Sequence, residues 1–167
     1  MLDTIVRYLH GARVPFKLTS YPSEEPAPHV AHLMPPNSVL VDTEVIRVGG
    51  RSALACFPAG ESVDYAAIGA ALGGVAVPGD PSDLPGELAT ASPPIPPLGQ
   101  LSGLTLVVEE RITQSPTLVF QAFGGSDFFE VPYDDWARLE APRLASFASM
   151  GELESAAPSE ERRPTVR

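Results

Sequence analysis

The chain has 167 residues, of which 44% are hydrophobic, and its formal net charge at pH 7 is -10. This length predicts one domain, since a domain of this size buries roughly two thirds of the surface that its unfolded chain exposes. No run approaches the ~20 consecutive apolar residues of a membrane span, so we expect no membrane partner. The N-terminus lacks the regions of a secretory signal, which predicts a cytoplasmic location. The acidic balance disfavours sequence-independent binding to nucleic acid phosphates, which needs many Lys and Arg contacts.

The first half of the chain predicts one helix followed by several strands. Apolar residues at helical spacing predict an amphipathic first helix, carried by Leu2, Ile5, Val6 and Leu9. The segment 22–36 holds five prolines, which predicts a loop. Strands are predicted over 16–21, 39–41, 45–48 and 52–57, with a hairpin turn at Gly49-Gly50.

The second half predicts a mixed α and β order. A helix is expected over 63–71, closed by Gly73-Gly74, and then a brief strand at 75–77. Residues 78–99 are rich in Pro and Gly and are expected to be mostly irregular, with a helical turn near 84–88. Further strands are predicted over 104–108, 117–122 and 128–131, the last two joined through Gly124 and Gly125.

The last ordered element is expected to be a helix with a break at Pro142. Its apolar face is predicted to consist of Tyr133, Trp136, Leu139, Leu144 and Phe147. The remaining residues are small, charged and proline-containing, with too few apolar groups to offset the entropy of ordering them. The sequence therefore predicts a domain over 1–148 and a flexible charged tail over 149–167.

Few residues suit metal binding or nucleophilic catalysis. Cys56, the only cysteine, lies in the apolar run 53–57, which favours a core thiol over a nucleophile. His29 and His32 stand three apart, but a structural zinc site needs four ligands and a catalytic one needs three plus water. We therefore expect no metal and no cofactor, and two histidines in a surface loop.

The informative stretch is the proline-rich segment at 93–99. Taken with the segments before and after it, in their order along the chain, this segment resembles the YbaK/prolyl-tRNA-editing family of aminoacyl-tRNA deacylase domains. The pieces that carry the resemblance are ALACFPA at 53–59, SVDYAAIGAALGG at 62–74, PPIPPLG at 93–99 and LVFQAFGGSDFFEVPYDDWARL at 118–139. Each piece alone is weakly specific, whereas their order and spacing agree over roughly residues 1–148.

The resemblance implies a mixed α+β fold of the α/β type: a central mixed β-sheet, partly barrel-like, with flanking helices. It also implies a pocket for the aminoacylated 3' end of a mischarged tRNA, the expected partner. Family members need no protein nucleophile, because a positioned water hydrolyses the ester with help from the ribose hydroxyl. Such catalysis rests on positioning and on hydrogen-bond donors that face developing negative charge.

The resemblance also indicates which positions form the site. The loop platform corresponds to Ile95, Pro97 and Gly99, with Pro93 at the family glycine and Asp42 or Thr43 near the family lysine, in the window 41–44. We assign substrate contacts to Arg47, Arg51, Gly124 and Gly125, and an arginine such as Arg47 or Arg51 could replace the lysine. A basic rim built from Arg47, Arg51 and Arg111 would favour tRNA as the ligand.

Two departures from the family pattern bear on activity. The lysine window reads Val-Asp-Thr-Glu, and the only lysine of the chain, Lys17, lies too far upstream to fill it. If Asp42 or Glu44 occupies the lysine site, a negative charge would oppose an anionic ligand. Four of residues 93–97 are prolines, which have no N–H, so Ile95 is the only amide donor among them.

Two hypotheses follow from these observations. The first is a trans-editing deacylase, a hydrolase acting on the ester of mischarged tRNA with weak or lost activity. The second is a catalytically inactive descendant of the same fold that binds a small metabolite, a nucleotide or a protein partner. A structural domain with tolerant proline-rich loops is a third reading. An exposed edge strand would also allow a homodimer.

Overall fold

The computed structural model describes residues 2–20, 34–90, 93–122 and 126–150. The helices are α1 (Leu2–Gly11), α2 (Tyr65–Leu72), α3 (Gly99–Ser102) and α4 (Tyr133–Glu140), with 3₁₀ turns at Pro81–Asp83, Gly86–Thr90 and Glu110–Gln114. The strands are β1 (Lys17–Ser20), β2 (Ser38–Val48), β3 (Arg51–Pro58), β4 (Ser62–Val63), β5 (Ala76–Pro78), β6 (Thr105–Glu109), β7 (Thr117–Gln121), β8 (Asp127–Pro132), β9 (Arg143–Ala145) and β10 (Ala148–Ser149). None of the described helices is long and apolar enough to cross a bilayer.

Eight strands form one mixed sheet. Seven of them follow the order β1-β8-β7-β2-β3-β6-β9, β5 pairs with the end of β2, and β4 and β10 form a separate pair. The β2–β3 hairpin is antiparallel, whereas β3, β6 and β9 run parallel to one another. The prediction of a mixed α+β fold with a central mixed sheet and flanking helices is confirmed. In the described chain the sheet is not closed, because β1 and β9 do not pair with each other.

The two faces of the sheet pack against different elements. Side chains alternate along a strand, so neighbouring residues point to opposite faces. One face packs against α1, α4 and the 93–99 segment, and its strand residues include Val41, Val45, Leu54, Cys56 and Val108. We call it the loop-bearing face. The opposite face packs against α2 and Phe147 through Ile46, Ala55, Phe57 and Val107, and we call it the α2 face.

Most predicted elements are present, with two differences. The expected short strands at 39–41 and 45–48 are one continuous strand, β2. The polar residues between them remain in the strand because the side chains of Asp42 and Glu44 find partners on the α2 face: Asp42 Oδ2 accepts from Gly60 N at 3.3 Å and Glu44 accepts from the Tyr65 hydroxyl.

The second difference concerns the C-terminal helix. The predicted helical face that included Leu144 and Phe147 is wrong, since α4 ends at Glu140 and Ala141 adopts a left-handed conformation with φ 45°. Pro142 cannot donate an N–H and disfavours helical geometry in the residue before it. Leu144 then lies on β9 with 51% of its surface exposed, and Phe147 is buried on the α2 face.

A buried carboxylate holds the chain beyond α4. Glu109, at the end of β6, accepts hydrogen bonds from Phe147 N and Ala148 N, both at 2.7 Å, and from Arg111 Nε at 3.3 Å. Arg111 also binds both carboxylate oxygens of Glu61, at 2.9 and 2.6 Å. Burial by itself raises the pKa of Glu109, but the two amides and the Arg111 guanidinium outweigh it and lower the pKa overall. Residues 151–167, the greater part of the predicted tail, lie outside the described residues.

We expect Glu109→Gln to lower the free energy of unfolding by roughly 1–3 kcal/mol at neutral pH, since Oε2 would become a neutral and weaker acceptor for Phe147 N and Ala148 N, and the new NH2 group would face Arg111 Nε. The difference should shrink as the pH falls below the ordinary value of 4.5, because a group whose folded pKa is lowered loses its contribution on protonation. Urea unfolding across this range measures it. The matched control is Asp135→Asn, which breaks the exposed 2.8 Å pair with Arg138 and should cost about 0–1 kcal/mol. Equal losses in the two variants would contradict this role of Glu109.

Candidate functional site

The 93–99 segment is packed into the core and is not a free surface loop. Ile95 and Leu98 are buried in the same cluster as Val41 and Trp136, and Pro96 and Pro97 are buried as well. The indole Nε1 of Trp136 donates to the Pro97 carbonyl at 3.0 Å. Pro93, at the position of the family glycine, is exposed. Helix α4 therefore anchors the middle of the 93–99 segment, while the first residue of the segment, Pro93, faces solvent.

The amide hydrogens of this segment are few and largely occupied. Leu98 N donates to the Pro96 carbonyl at 2.8 Å. Gly99 N and Gln100 N both donate to the carboxylate of Glu140, the latter at 2.9 Å. Within the described residues, the Ile95 N–H donates to no group. Of residues 93–99, Ile95 thus has the amide hydrogen that remains available to a ligand.

Glu140 is a buried acid that joins three elements. It is only 2% exposed at the end of α4, where it accepts from the start of α3 and from the Tyr8 hydroxyl of α1 at 2.7 Å. Burial raises the pKa of Glu140, although the hydrogen bonds from Gln100, Tyr8 and Gly99 act in the opposite direction. Sequence reasoning missed this residue. The available signal was its position four residues after Trp136, which puts both side chains on one face of a helix.

Gly99 allows the segment to pack closely on the sheet. A Cβ at this position would lie 2.7 Å from the Leu104 carbonyl oxygen and 3.1 Å from Leu106 Cβ. Both contacts are shorter than an ordinary van der Waals separation, and the first is to backbone, which cannot rotate away. Leu104 N in turn donates to the Gly99 carbonyl at 2.9 Å. The glycine is therefore needed for a close approach.

The lysine window has only one side chain on the loop-bearing face besides Val41. Thr43 pairs with Cys56 across the hairpin and lies two residues from both Val41 and Val45. Those three residues belong to the loop-bearing face, so Thr43 points to that face as well. Asp42 and Glu44 point to the α2 face, where Gly60 and Tyr65 are their partners. Thr43, and neither acid, is thus the residue placed toward the 93–99 segment.

Thr43 also presents a buried polar atom to this face. Its Oγ1 meets no oxygen or nitrogen partner among the described residues and interacts only with the Cys56 thiol, a weak acceptor whose pKa it lowers. Opposite it, Cys56 is fully buried, and burial raises the pKa of its thiol, as expected for a core cysteine. Burial also raises the pKa of Tyr133, which packs against this cluster. A buried hydroxyl whose one partner is a weakly accepting thiol keeps hydrogen-bonding capacity for a polar ligand.

The remaining predicted contacts are dispersed. Arg47 and Arg51 are exposed at the tip of the β2–β3 hairpin, and four residues of extended chain put Arg47 about 13 Å from Thr43. Arg111 lies beyond the other end of β6 and is bound to Glu61 and Glu109. The structure does not bring the three arginines together into a rim. Gly124 and Gly125 lie outside the described residues.

No metal centre is found among the described residues. No group of three or more His, Cys, Asp or Glu side chains converges there in a way that could hold an ion. His29 and His32 lie in the 21–33 segment, outside the described residues, so their interpretation as loop histidines stays a prediction.

Comparison with solved structures extends the description of the fold. A candidate trans-editing enzyme for prolyl-tRNA synthetase superposes with a TM-score of 0.68 at 14% identity, covering 88% of this chain and 96% of that one. A hypothetical protein gives the same TM-score at 14% identity, covering 87% and 99%. A candidate signal transduction protein from Marinobacter aquaeolei VT8 gives 0.66 at 15% identity, and the match covers 87% of this chain but 30% of that protein. No family model and no curated protein matches. At these identities the likeness shows the fold, which is consistent with the YbaK type.

We expect Gly99→Ala to lower the free energy of unfolding by about 1–3 kcal/mol, because the backbone of α3 must move away from Leu104 to admit the methyl group. Gly11→Ala is the matched control, since a Cβ at Gly11 meets no atom within 4 Å. That variant should be neutral or slightly stabilising, as reduced freedom of the unfolded chain predicts. Thermal and urea unfolding measure both, and a Gly99→Ala variant as stable as Gly11→Ala would refute the close packing.

We expect Glu140→Gln to remove part of the pH dependence of stability. A carboxyl whose folded pKa is raised above 4.5 keeps its proton in the folded chain after the unfolded chain has lost it, so wild-type stability falls as pH rises through this interval. The variant lacks this slope. Tyr8→Phe removes a donor to the carboxylate and should extend the interval to higher pH. Parallel curves for wild type and Glu140→Gln would contradict the raised pKa.

Proposed function

We propose that this chain is an aminoacyl-tRNA deacylase-like domain of the trans-editing type, which hydrolyses the ester of a mischarged tRNA slowly. The observation that carries the proposal is the packing of the 93–99 segment on the same sheet face as Thr43. The segment corresponds to the loop of the family that the chain resembles, and Thr43 corresponds to the position of the family lysine. The fold likeness to a candidate trans-editing enzyme for prolyl-tRNA synthetase supports it as well.

The chemistry available at this face is donation of hydrogen bonds to an ester and a water. Ile95 offers an amide hydrogen, and the buried Thr43 hydroxyl has only the weakly accepting Cys56 thiol as a partner in the described chain. Cys56, with its raised pKa, is protonated at neutral pH and is no nucleophile. Attack by a positioned water agrees with these groups, because such catalysis depends on preorganised donors around the developing oxyanion.

Two hydrogen-bond donors of the family are missing at this face, a lysine cation and several loop amides, and their loss is the reason we expect slow ester hydrolysis. A neutral hydroxyl at Thr43 replaces a cation, and charged donors form hydrogen bonds roughly twice as strong as neutral ones. Proline removes the amide hydrogens that family members present, and Glu140 occupies those of Gly99 and Gln100. Repulsion by Asp42 and Glu44 is the smaller effect, since both acids face away from the loop.

The second candidate function is a binding module without catalysis, for a small metabolite, a nucleotide or a protein partner. The occupation of the Gly99 and Gln100 amides by Glu140 favours it, because a buried internal carboxylate makes those donors unavailable to a substrate. The net charge of -10 also weighs against tRNA as the ligand.

Single-turnover hydrolysis of Ala-, Cys- and Ser-charged tRNA with the protein in excess tests the proposal. We expect rates slightly above the buffer blank for the wild type. Thr43→Lys should raise the rate about tenfold or more, since it adds a cationic donor where negative charge develops. The matched control is Asp42→Lys, which adds even more positive charge but on the α2 face, and should leave the rate unchanged.

A rate increase confined to Thr43→Lys would therefore not arise from general attraction of tRNA. Circular dichroism and thermal unfolding verify that both variants are folded at the assay temperature. Rates equal to the blank in the wild type and in a folded Thr43→Lys variant would overturn the enzymatic proposal and favour the binding module.

A further inference from the structure

A second cleft opens on the α2 face, away from the 93–99 segment. It has a volume of about 180 Å³ and is lined by Val48, Arg51, Ser52, Ala53, Leu72, Thr105 and Arg143. Two arginines and the Thr105 hydroxyl thus share one small concavity, which no carboxylate of the described chain lines, while the Ser52 side chain is on the opposite face of β3.

The topology of the sheet brings these residues together. Strands β3, β6 and β9 are parallel neighbours, so their first residues meet at the same edge of the sheet. Ala53 pairs with Thr105, and Val107 pairs with Arg143, which puts Arg51, Thr105 and Arg143 on the α2 face by alternation. The residues lie far apart in sequence, and the arrangement follows from the strand order.

The two arginines remain unneutralised in an acidic protein. Within the described chain, Arg111 and Arg138 are paired with carboxylates, whereas Arg51 and Arg143 are paired with none, as is also true of Arg7, Arg13 and Arg47. What distinguishes Arg51 and Arg143 is that both line one cleft. Two like charges that share a cleft repel each other, and an anion between them converts this repulsion into attraction.

We propose that this cleft binds the phosphate group of a small ligand. Guanidinium groups form paired hydrogen bonds with phosphate oxygens, and two of them lining one cleft suit a tetrahedral anion. The Thr105 hydroxyl has no hydrogen-bond partner among the described residues and supplies a further donor, while the Ser52 hydroxyl is directed to the Asp83 carbonyl at 3.3 Å. A phosphate monoester has three acceptor oxygens and a charge of about -1.5 to -2, which matches two guanidinium groups better than the single charge of a carboxylate does.

A neighbouring cleft gives room for the rest of such a ligand. It has a volume of about 290 Å³, shares Thr105 and Arg143 with the first, and also includes Gln100 and Glu140. The exposed Gln100 side chain can hydrogen-bond hydroxyl groups of a ligand, whereas Glu140 is buried and already accepts from Gln100 N and Tyr8. The shared chemistry is a phosphate group, carried by a hydroxylated phosphate monoester or by free phosphate. The site is independent of the proposed deacylase function, since Thr43 lies on the other face.

The test is titration of the ¹⁵N-labelled full chain with inorganic phosphate and, separately, with ribose 5-phosphate, followed by NMR. We expect saturable shifts of the amides of Arg51, Ser52, Thr105 and Arg143 with both probes. Tighter binding of ribose 5-phosphate, with added shifts at Gln100, identifies a monoester; equal affinities identify free phosphate. Either outcome supports the phosphate site.

Arg51→Gln and Arg143→Gln should each weaken binding about tenfold or more, because each removes charge-assisted hydrogen bonds. Both side chains are exposed, so these variants leave the core intact. Arg7→Gln is the matched control, since it removes the same charge from exposed α1 and should bind as the wild type does. Absence of saturable shifts at the cleft, or equal weakening by Arg7→Gln, would overturn the proposal.

Discussion

The contact between α4 and the 93–99 segment is the constraint on which the loop-bearing face depends. Four prolines deprive this segment of the amide hydrogens with which a chain ordinarily joins a sheet or a helix. The indole of Trp136 and the carboxylate of Glu140 supply the missing partners, one to the Pro97 carbonyl and the other to the amides at the start of α3. Since Tyr8 also binds Glu140, α1 is held by the same group. One helix thereby positions both the loop and the first helix of the chain.

The same contact limits what the loop can do. A carboxylate that satisfies the amides of Gly99 and Gln100 stabilises the fold and removes two donors from any substrate. Ile95 and Thr43 are then the polar contributions that the described face leaves available. Hydrogen-bond donors of this number and charge are weaker stabilisers of an oxyanion than a lysine with several amides. In the proposed function, fold stability and catalysis would depend on the same backbone groups.

The sheet separates two kinds of polar chemistry. The loop-bearing face buries neutral groups, namely the Thr43 hydroxyl and the protonated Cys56 thiol. The edge of the α2 face gathers cations where β3, β6 and β9 begin. This division follows from the alternation of side chains, because Thr43 and Arg51 point to opposite sides of one hairpin. Thr43 and the two arginines therefore cannot contact the same atom of a ligand from one side of the hairpin.

The local pattern of the chain determined much of the secondary structure. The helical spacing of Leu2, Ile5 and Leu9 predicted α1, and the Gly49-Gly50 pair predicted the turn of the β2–β3 hairpin. The apolar surroundings of Cys56 predicted a buried thiol. These features depend on residues close in sequence, and their periodicity is visible without a fold. Extending the last helix to Phe147 failed because Pro142 ends it, although the apolar spacing continues.

Which side chains face one another was decided by the tertiary structure alone. The window 41–44 contains two acids and a threonine, and only the hairpin register reveals that Thr43 faces the loop while Asp42 and Glu44 do not. Glu140 accepts from Gln100 N across forty residues, and Arg51 and Arg143 line one cleft because two strand pairings put β3, β6 and β9 side by side. The sequence by itself determined the order of elements and the proline-rich segment. The pairing of these elements over long distances in the sequence decides which side chains are buried and which way they point. It arises from packing between distant residues and therefore leaves no local pattern in the sequence.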